Sequence, residues 1–223
     1  MTVEAMMAKA RVLKGRVQNL IIKFKKRMNW FDISRNLDTS DCVDREFIFN
    51  EADSPNVKYM GRYVPTDFLQ IKDSLSQLIA FDKSVLEHTF VDFGCGKGRV
   101  LIMAERMGFK KLIGVEFSKK LYDICLRNLN KVNSKAAQVV CGDAVEYRLS
   151  GDTKTFYFCN PFEYCLFEQI LNNIRGFLKT ARQDGYIVYI DTRNFGRLDP
   201  DEYELLFKYD GPGTPFHIYK VLL

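Results

Sequence analysis

Residues 91–99 read V-D-F-G-C-G-K-G-R. The stretch overlaps a short apolar run, T-F-V-D-F at 89–93, and leads into a segment with helical spacing over 98–107. Glycines at 94, 96 and 98 allow a tight turn and remove the Cβ where a ligand approaches the backbone. The helix that follows would present free N–H groups and the positive end of its dipole. A second apolar run, K-L-I-G-V-E-F at 111–117, brings Glu116 to its tip, where a carboxylate can accept hydrogen bonds from both hydroxyls of a ribose. Strand, glycine turn, helix, strand and acid together predict a nucleoside site.

The loop chemistry narrows the ligand. A phosphate-binding P-loop ends in G-K-[ST], but here Lys97 is followed by Gly98, so the hydroxyl that would meet magnesium is missing. The dinucleotide fingerprint G-x-G-x-x-G is missed by one place, because the third glycine falls at 98 and Arg99 follows. Asp92 on the loop would repel a diphosphate and attract an amino group. The expected ligand therefore joins a nucleoside to an amino acid, a description that S-adenosylmethionine meets.

Outward from the loop, short apolar runs alternate with helical segments. The remaining runs are A-Q-V-V-C-G-D (137–143), T-F-Y-F-C-N (155–160) and G-Y-I-V-Y-I-D (185–191), with helices expected over 118–131 and 163–180. The alternation predicts an α/β fold with a mostly parallel sheet covered on both faces. Two later runs, L-L-F-K-Y-D (205–210) and F-H-I-Y-K-V-L-L (216–223), are joined by G-P-G-T-P and predict an antiparallel pair at the C-terminal end. Upstream, a helix is expected from about Asp67 to Phe81 with Thr66 as its N-cap.

The chain has 223 residues, 47% apolar and 27% charged, which excludes a disordered or collagen-like protein. Its formal charge of +5 is unevenly placed. Residues 1–30 hold eight basic side chains and one acid, Glu4; taking that +7 from the total leaves −2 on the other 193 residues. Within 9–28, Val12, Leu13, Val17, Leu20, Ile21, Phe24 and Met28 recur at helical spacing among lysines and arginines, with Trp30 and Phe31 at the end. A basic amphipathic N-terminal helix and polar connector (1–50) thus precede the main domain (51–223). The helix either docks on that domain or meets an anionic surface, peripheral membrane contact being one reading. Nucleic acid is disfavoured as substrate because the body is slightly acidic. The six cysteines form no C-x-x-C pair and sit mostly in apolar runs, so buried, reduced thiols, no metal and a cytoplasmic location are expected. No secretory or membrane-spanning run is found, and the lack of serine before Ser34 disfavours a transit peptide.

In order and spacing, the D-x-G-x-G-x-G loop, Glu116, G-D-A at 142–144 and N-P-F at 160–162 resemble the motifs of class I S-adenosylmethionine-dependent methyltransferases. The resemblance covers about residues 59–191. It implies a Rossmann-like seven-stranded sheet and S-adenosylmethionine as cofactor, with S-adenosylhomocysteine as product. Carried over by position, it assigns Asp92, Gly94, Gly96 and Gly98 to the methionine end and Glu116 to the ribose. Asp143 and Ala144 would meet the adenine amino group, with Phe117 beside the base. Asp143 could instead cap a turn and Phe117 pack in the core.

At the reactive end, F-C-N-P-F-E is similar to the N-P-P-[YF] motif of amino-methylating members, one proline short. The resemblance implies that Asn160, the Pro161 segment and Phe162 orient the acceptor, with Glu163 as a base, a contact for a cationic substrate or a first-turn helix acid. Y-V-P-T at 63–66 is similar to the segment before the glycine loop in the ATP synthase c-subunit lysine methyltransferase family, which implies that Tyr63 and Thr66 close over the cofactor; Tyr59 and Arg62 are further lid candidates. Methyl transfer to a nitrogen, of protein lysine or a small amine, is the leading expectation. O-methylation of a small molecule or glycan, and a non-catalytic cofactor-binding module, stand beside it; oligomeric state is open.

Overall fold

The computed structural model describes residues 31–44, 46, 62–159, 163–190, 198–211 and 215–223. The helix expected over 9–28, Trp30, Tyr59 and the acceptor residues Asn160, Pro161 and Phe162 lie outside the described residues.

One seven-stranded sheet organises the chain. Its strands are β1 (Thr89–Phe93), β2 (Lys111–Glu116), β3 (Ala137–Cys141), β4 (Thr153–Cys159), β5 (Tyr186–Ile190), β6 (Tyr203–Tyr209) and β7 (Phe216–Val221). The order is β3-β2-β1-β4-β5-β7-β6. Strands β1 to β5 pair in parallel, and β7 runs antiparallel to both β5 and β6. This is the expected Rossmann-like sheet with its antiparallel C-terminal pair.

The helices that pack on this sheet are α1 (Phe68–Phe81), α2 (Arg99–Arg106), α3 (Lys119–Lys131) and α4 (Tyr164–Ala181). Their spacing follows from which face each buries. In α4, Leu166, Ile170, Ile174 and Leu178 recur every four residues and pack on one face of the sheet with Val91, Phe93, Phe156, Phe158 and Ile187. In α1, Ile71, Leu75 and Leu78 pack on the other face with Phe90, Tyr157, Val188 and Ile218. Neighbouring residues of β1 and β4 thus enter opposite cores, the two-residue period of a strand buried on both sides. Phe158 links its layer through Phe93 and Phe167, each with ring centroids 5.0 Å away. Each such fully buried apolar side chain contributes about 2 kcal/mol, and truncating Ile174 to Ala would cost about 2–5 kcal/mol.

Three expectations are corrected. The cap of α1 is Asp67, not Thr66: the helix begins at Phe68, and Asp67 Oδ1 accepts the Leu69 N–H at 2.6 Å. The cysteines are all free, but only Cys95 and Cys125 are buried; Cys42, Cys141 and Cys165 are exposed and Cys159 half-buried. Cys141 is uncovered because β3 is an edge strand, a consequence of strand order that an apolar run does not reveal. Strands β4 and β6 also start two residues earlier than their apolar runs suggested. No helix among the described residues is long and apolar enough to cross a membrane.

The centre of the sheet fixes the site. β1 lies between β2 and β4, so the chain leaves β1 toward one side and β4 toward the other. In open α/β sheets the ligand crevice lies at the C-terminal ends of the strands where those directions diverge.

Candidate active site

The glycine turn sits at this crevice. Gly94, Gly96 and Gly98 have φ of 77°, 54° and 84°, a region that a side chain disfavours. Gly94 and Cys95 N–H groups donate to the Val115 carbonyl at 2.9 and 3.1 Å, so the turn extends the pairing of β1 with β2. Gly98 then starts α2 without a side-chain cap.

Two acids face the turn. Glu116, at the tip of β2, is buried; its Oε2 accepts the Gly96 N–H at 2.8 Å and its Oε1 the Ser118 N–H at 2.9 Å. Each oxygen retains a lone pair, so the ribose role remains open to it. Burial pushes its pKa up to about 7, against the pull of hydrogen bonds from Ser118, Gly96 and Phe117. Asp92, at 1% exposure, is more deeply enclosed. Burial, and secondarily the Glu116 charge, hold its pKa well above the usual carboxylate range. Its Oδ2 has no hydrogen-bond partner among the described residues. An orphaned buried carboxylate oxygen costs about 1–3 kcal/mol and calls for a donor. The cationic amino group of S-adenosylmethionine supplies one, so the residues present fit that cofactor.

The other expected cofactor residues follow the ends of β2 and β3. Asp143 Oδ1 accepts the Val145 N–H at 2.9 Å, closing the turn after β3, and Ala144 is buried. Phe117 is half-buried and packs against the α4-side core. Glu163 precedes α4 and is exposed, and its carbonyl, not its carboxylate, accepts the Leu166 and Phe167 N–H groups at 3.1 and 3.2 Å. Arg62 is exposed.

Sequence reasoning missed a strap across the turn. Part of the polar connector expected within residues 1–50 is bonded into the site. Val43 and Tyr63 exchange backbone hydrogen bonds of 3.1 and 3.0 Å as an antiparallel bridge. The Tyr63 hydroxyl donates to the Thr39 carbonyl at 3.2 Å. Lys97, 3% exposed, pairs with Asp38 at 2.7 Å. Asn128 on α3 donates to the carbonyls of Asp38 and Lys97 at 2.8 and 2.9 Å and accepts the Asp38 N–H at 3.0 Å. Arg99 donates to Thr39 Oγ1, Ser40 Oγ and the Thr66 carbonyl at 3.0, 2.9 and 3.1 Å. Thr66 thus serves by its backbone. The one signal in the sequence was the pair of cations inside the glycine loop, which needed partners somewhere.

Known proteins share this fold. Residues 90–185 match the family model described as a methyltransferase domain. The fold is similar to that of yhhF from Escherichia coli, a candidate methyltransferase, at 16% identity over 68% of this chain and 84% of that one, with a TM-score of 0.55. It is also similar to an S-adenosylmethionine-dependent methyltransferase from Aquifex aeolicus, at 15% identity over 81% of this chain and 100% of that one, with a TM-score of 0.53. A candidate RNA methyltransferase from Pyrococcus horikoshii shares the fold at 17% identity over 77% and 93%, with a TM-score of 0.51. No curated protein sequence matches the chain significantly. With an orphaned buried carboxylate suited to an amine and a second buried acid at the tip of β2, residues 90–185 carry the features of an S-adenosylmethionine-dependent methyltransferase domain.

Proposed function

We propose that the chain transfers the methyl group to a nitrogen, of protein lysine or a small amine. One observation supports the reading: β4 lies beside β1 and ends at Cys159, so the run Asn160-Pro161-Phe162-Glu163 continues from the strand end adjacent to Asp92 and the glycine turn. When bound, the cofactor supplies a methyl already activated on a sulfonium. The chain then chiefly holds a nucleophile in line with that methyl. An amine attacks through its lone pair, so it must shed a proton first and keep its N–H bonds directed away from the methyl. The Asn160 carboxamide oxygen and a following carbonyl are suited to accept those N–H bonds, and the Phe162 ring to flank the nitrogen. Glu163, exposed beside the crevice, would attract a cationic amine or take its proton.

The test is incubation with methyl-labelled S-adenosylmethionine and three acceptor pools: lysine-bearing proteins, small amines and total RNA. Label recovered as methyl-lysine or a methylamine, and lost in Asn160→Ala while cofactor binding persists, supports the reading. Label confined to hydroxyl oxygens or to RNA overturns it.

A further inference from the structure

Arg99 is the largest fully buried side chain of the described residues, at 2% exposure, and no part of the cofactor assignment uses it. It directly follows the glycine turn, yet its guanidinium is spent on both arms of the strap. Thr39 Oγ1 and Ser40 Oγ on the first arm and the Thr66 carbonyl on the second accept its N–H groups, and the Phe68 ring lies 4.5 Å from it. Its counter-charge arrives through a relay: Thr39 Oγ1 donates to Asp32 Oδ1 at 2.7 Å, and the Thr39 N–H donates to Asp32 Oδ2 at 2.7 Å. A buried guanidinium satisfied in this way is costly to disturb, because each acceptor it leaves is stranded as well. The second arm carries Tyr63, whose ring Cε2 stands 2.2 Å from where a Cβ on Gly96 would be. The chain of contacts therefore runs from Arg99 to the strap, from the strap to Tyr63, and from Tyr63 to the middle of the turn.

We propose that Arg99 is a positioning residue for cofactor binding: it staples both strap arms to the turn and through Tyr63 fixes the turn in its binding shape. The inference rests on the turn being the cofactor loop.

Calorimetric titration with S-adenosylhomocysteine, beside thermal melting, tests it on wild type, Arg99→Met, Tyr63→Ala and the double variant. Arg99→Met should bind about tenfold more weakly, the worth of one hydrogen bond to a charged group, and Tyr63→Ala should also bind more weakly than wild type. The double variant should bind no more weakly than Arg99→Met, because both act through one contact. A merely structural Arg99 would lower the melting temperature and leave affinity alone. Wild-type affinity in a cooperatively melting Arg99→Met, or losses that multiply in the double variant, would overturn the proposal. Should Arg99→Met not fold, Thr39→Ser against Thr39→Val decides: affinity kept by Ser and lost by Val supports the staple, and equal affinity overturns it. A wild type that binds no S-adenosylhomocysteine would instead refute the cofactor loop itself.

Discussion

The ring of Tyr63 occupies the space that a side chain at position 96 would need. A Cβ built on Gly96 would stand 2.2 Å from Tyr63 Cε2 and 2.6 Å from Cδ2. Gly98 is similar, since its Cβ would come 2.5 Å from Cys125 Sγ. Two of the loop glycines are thus required by the protein's own packing as well as by their left-handed backbone. The turn is held from behind by α3 and from one side by the strap, and a bound ligand meets a surface already shaped.

Gly96→Ala should be costly for two separable reasons. The left-handed φ of +54° costs an alanine about 1–2 kcal/mol. The clash with Tyr63 adds to that, and Tyr63→Ala removes only the clash. A double-mutant cycle by urea unfolding should therefore show Gly96→Ala to be milder in the Tyr63→Ala background, with a coupling of about 1 kcal/mol or more. Additive losses would mean the ring moves aside freely.

The two acids predict an unusual pH dependence for the cofactor-free protein. Unfolded, Glu116 titrates near its ordinary 4.5, whereas burial in the fold raises it to about 7. Between these values the native state holds more protons than the unfolded one, so stability falls as pH rises through that window. Asp92, raised by burial and then by Glu116, acts with the same sign. The wild type should lose stability from about pH 5 to about pH 8 relative to Glu116→Gln, and its affinity for S-adenosylhomocysteine should rise over the same range as Glu116 ionises. A wild-type profile parallel to that of Glu116→Gln would contradict the burial of this carboxylate.

How much of this was legible depended on the length scale of the signal. The turn at 94–98 and the strand–helix alternation are written in adjacent residues, as glycine content and as periods of two and of about four. The strap is not, because Asp38 meets Lys97 and Asn128, and Thr39 meets Arg99, across long stretches of chain. Polar residues bonded to a distant loop look the same in sequence as polar residues bonded to water. Thr66 and Asp67 are both good caps, and only the first helical turn chose between them. The exposure of Cys141 depended on β3 lying at the sheet edge, which no local pattern states.

Asp82 marks the opposite end of the sheet, and its loss should touch stability alone. Burial would raise its pKa, but hydrogen bonds from Lys154, Ser84 and Tyr186 outweigh this and hold it well below the usual carboxylate range. The Tyr186 hydroxyl donates to Oδ2 at 2.9 Å, and Lys154 pairs with the same oxygen at 2.7 Å. Its contribution is therefore present above the unfolded pKa of 3.8 and is lost as pH falls below it. Asp82→Asn should cost about 1–3 kcal/mol at neutral pH and less in acid. S-adenosylhomocysteine affinity should be unchanged, and a weakened affinity would show that this end of the sheet communicates with the turn.

Asn128 offers a sharper discrimination, because a carboxamide and a carboxylate share a shape but differ in charge and in which groups can donate. Its Nδ2 serves the Asp38 and Lys97 carbonyls and its Oδ1 takes the Asp38 N–H, so one side chain joins strap and turn through main-chain atoms alone. It is 1% exposed, so water cannot replace a lost partner. Asn128→Ala strands two carbonyls and one N–H. Asn128→Asp keeps the acceptor but sets a negative oxygen against those two carbonyls in a buried site, which is worse than leaving them empty. Asn128→Asp should therefore destabilise more than Asn128→Ala at about pH 8, by about 1–3 kcal/mol. The order should narrow or reverse near about pH 4, where a protonated carboxyl can donate to one carbonyl. Urea midpoints for both variants at the two pH values measure this. If Asn128→Asp proves no less stable than Asn128→Ala under the alkaline condition, Asn128 does not bind both carbonyls at once.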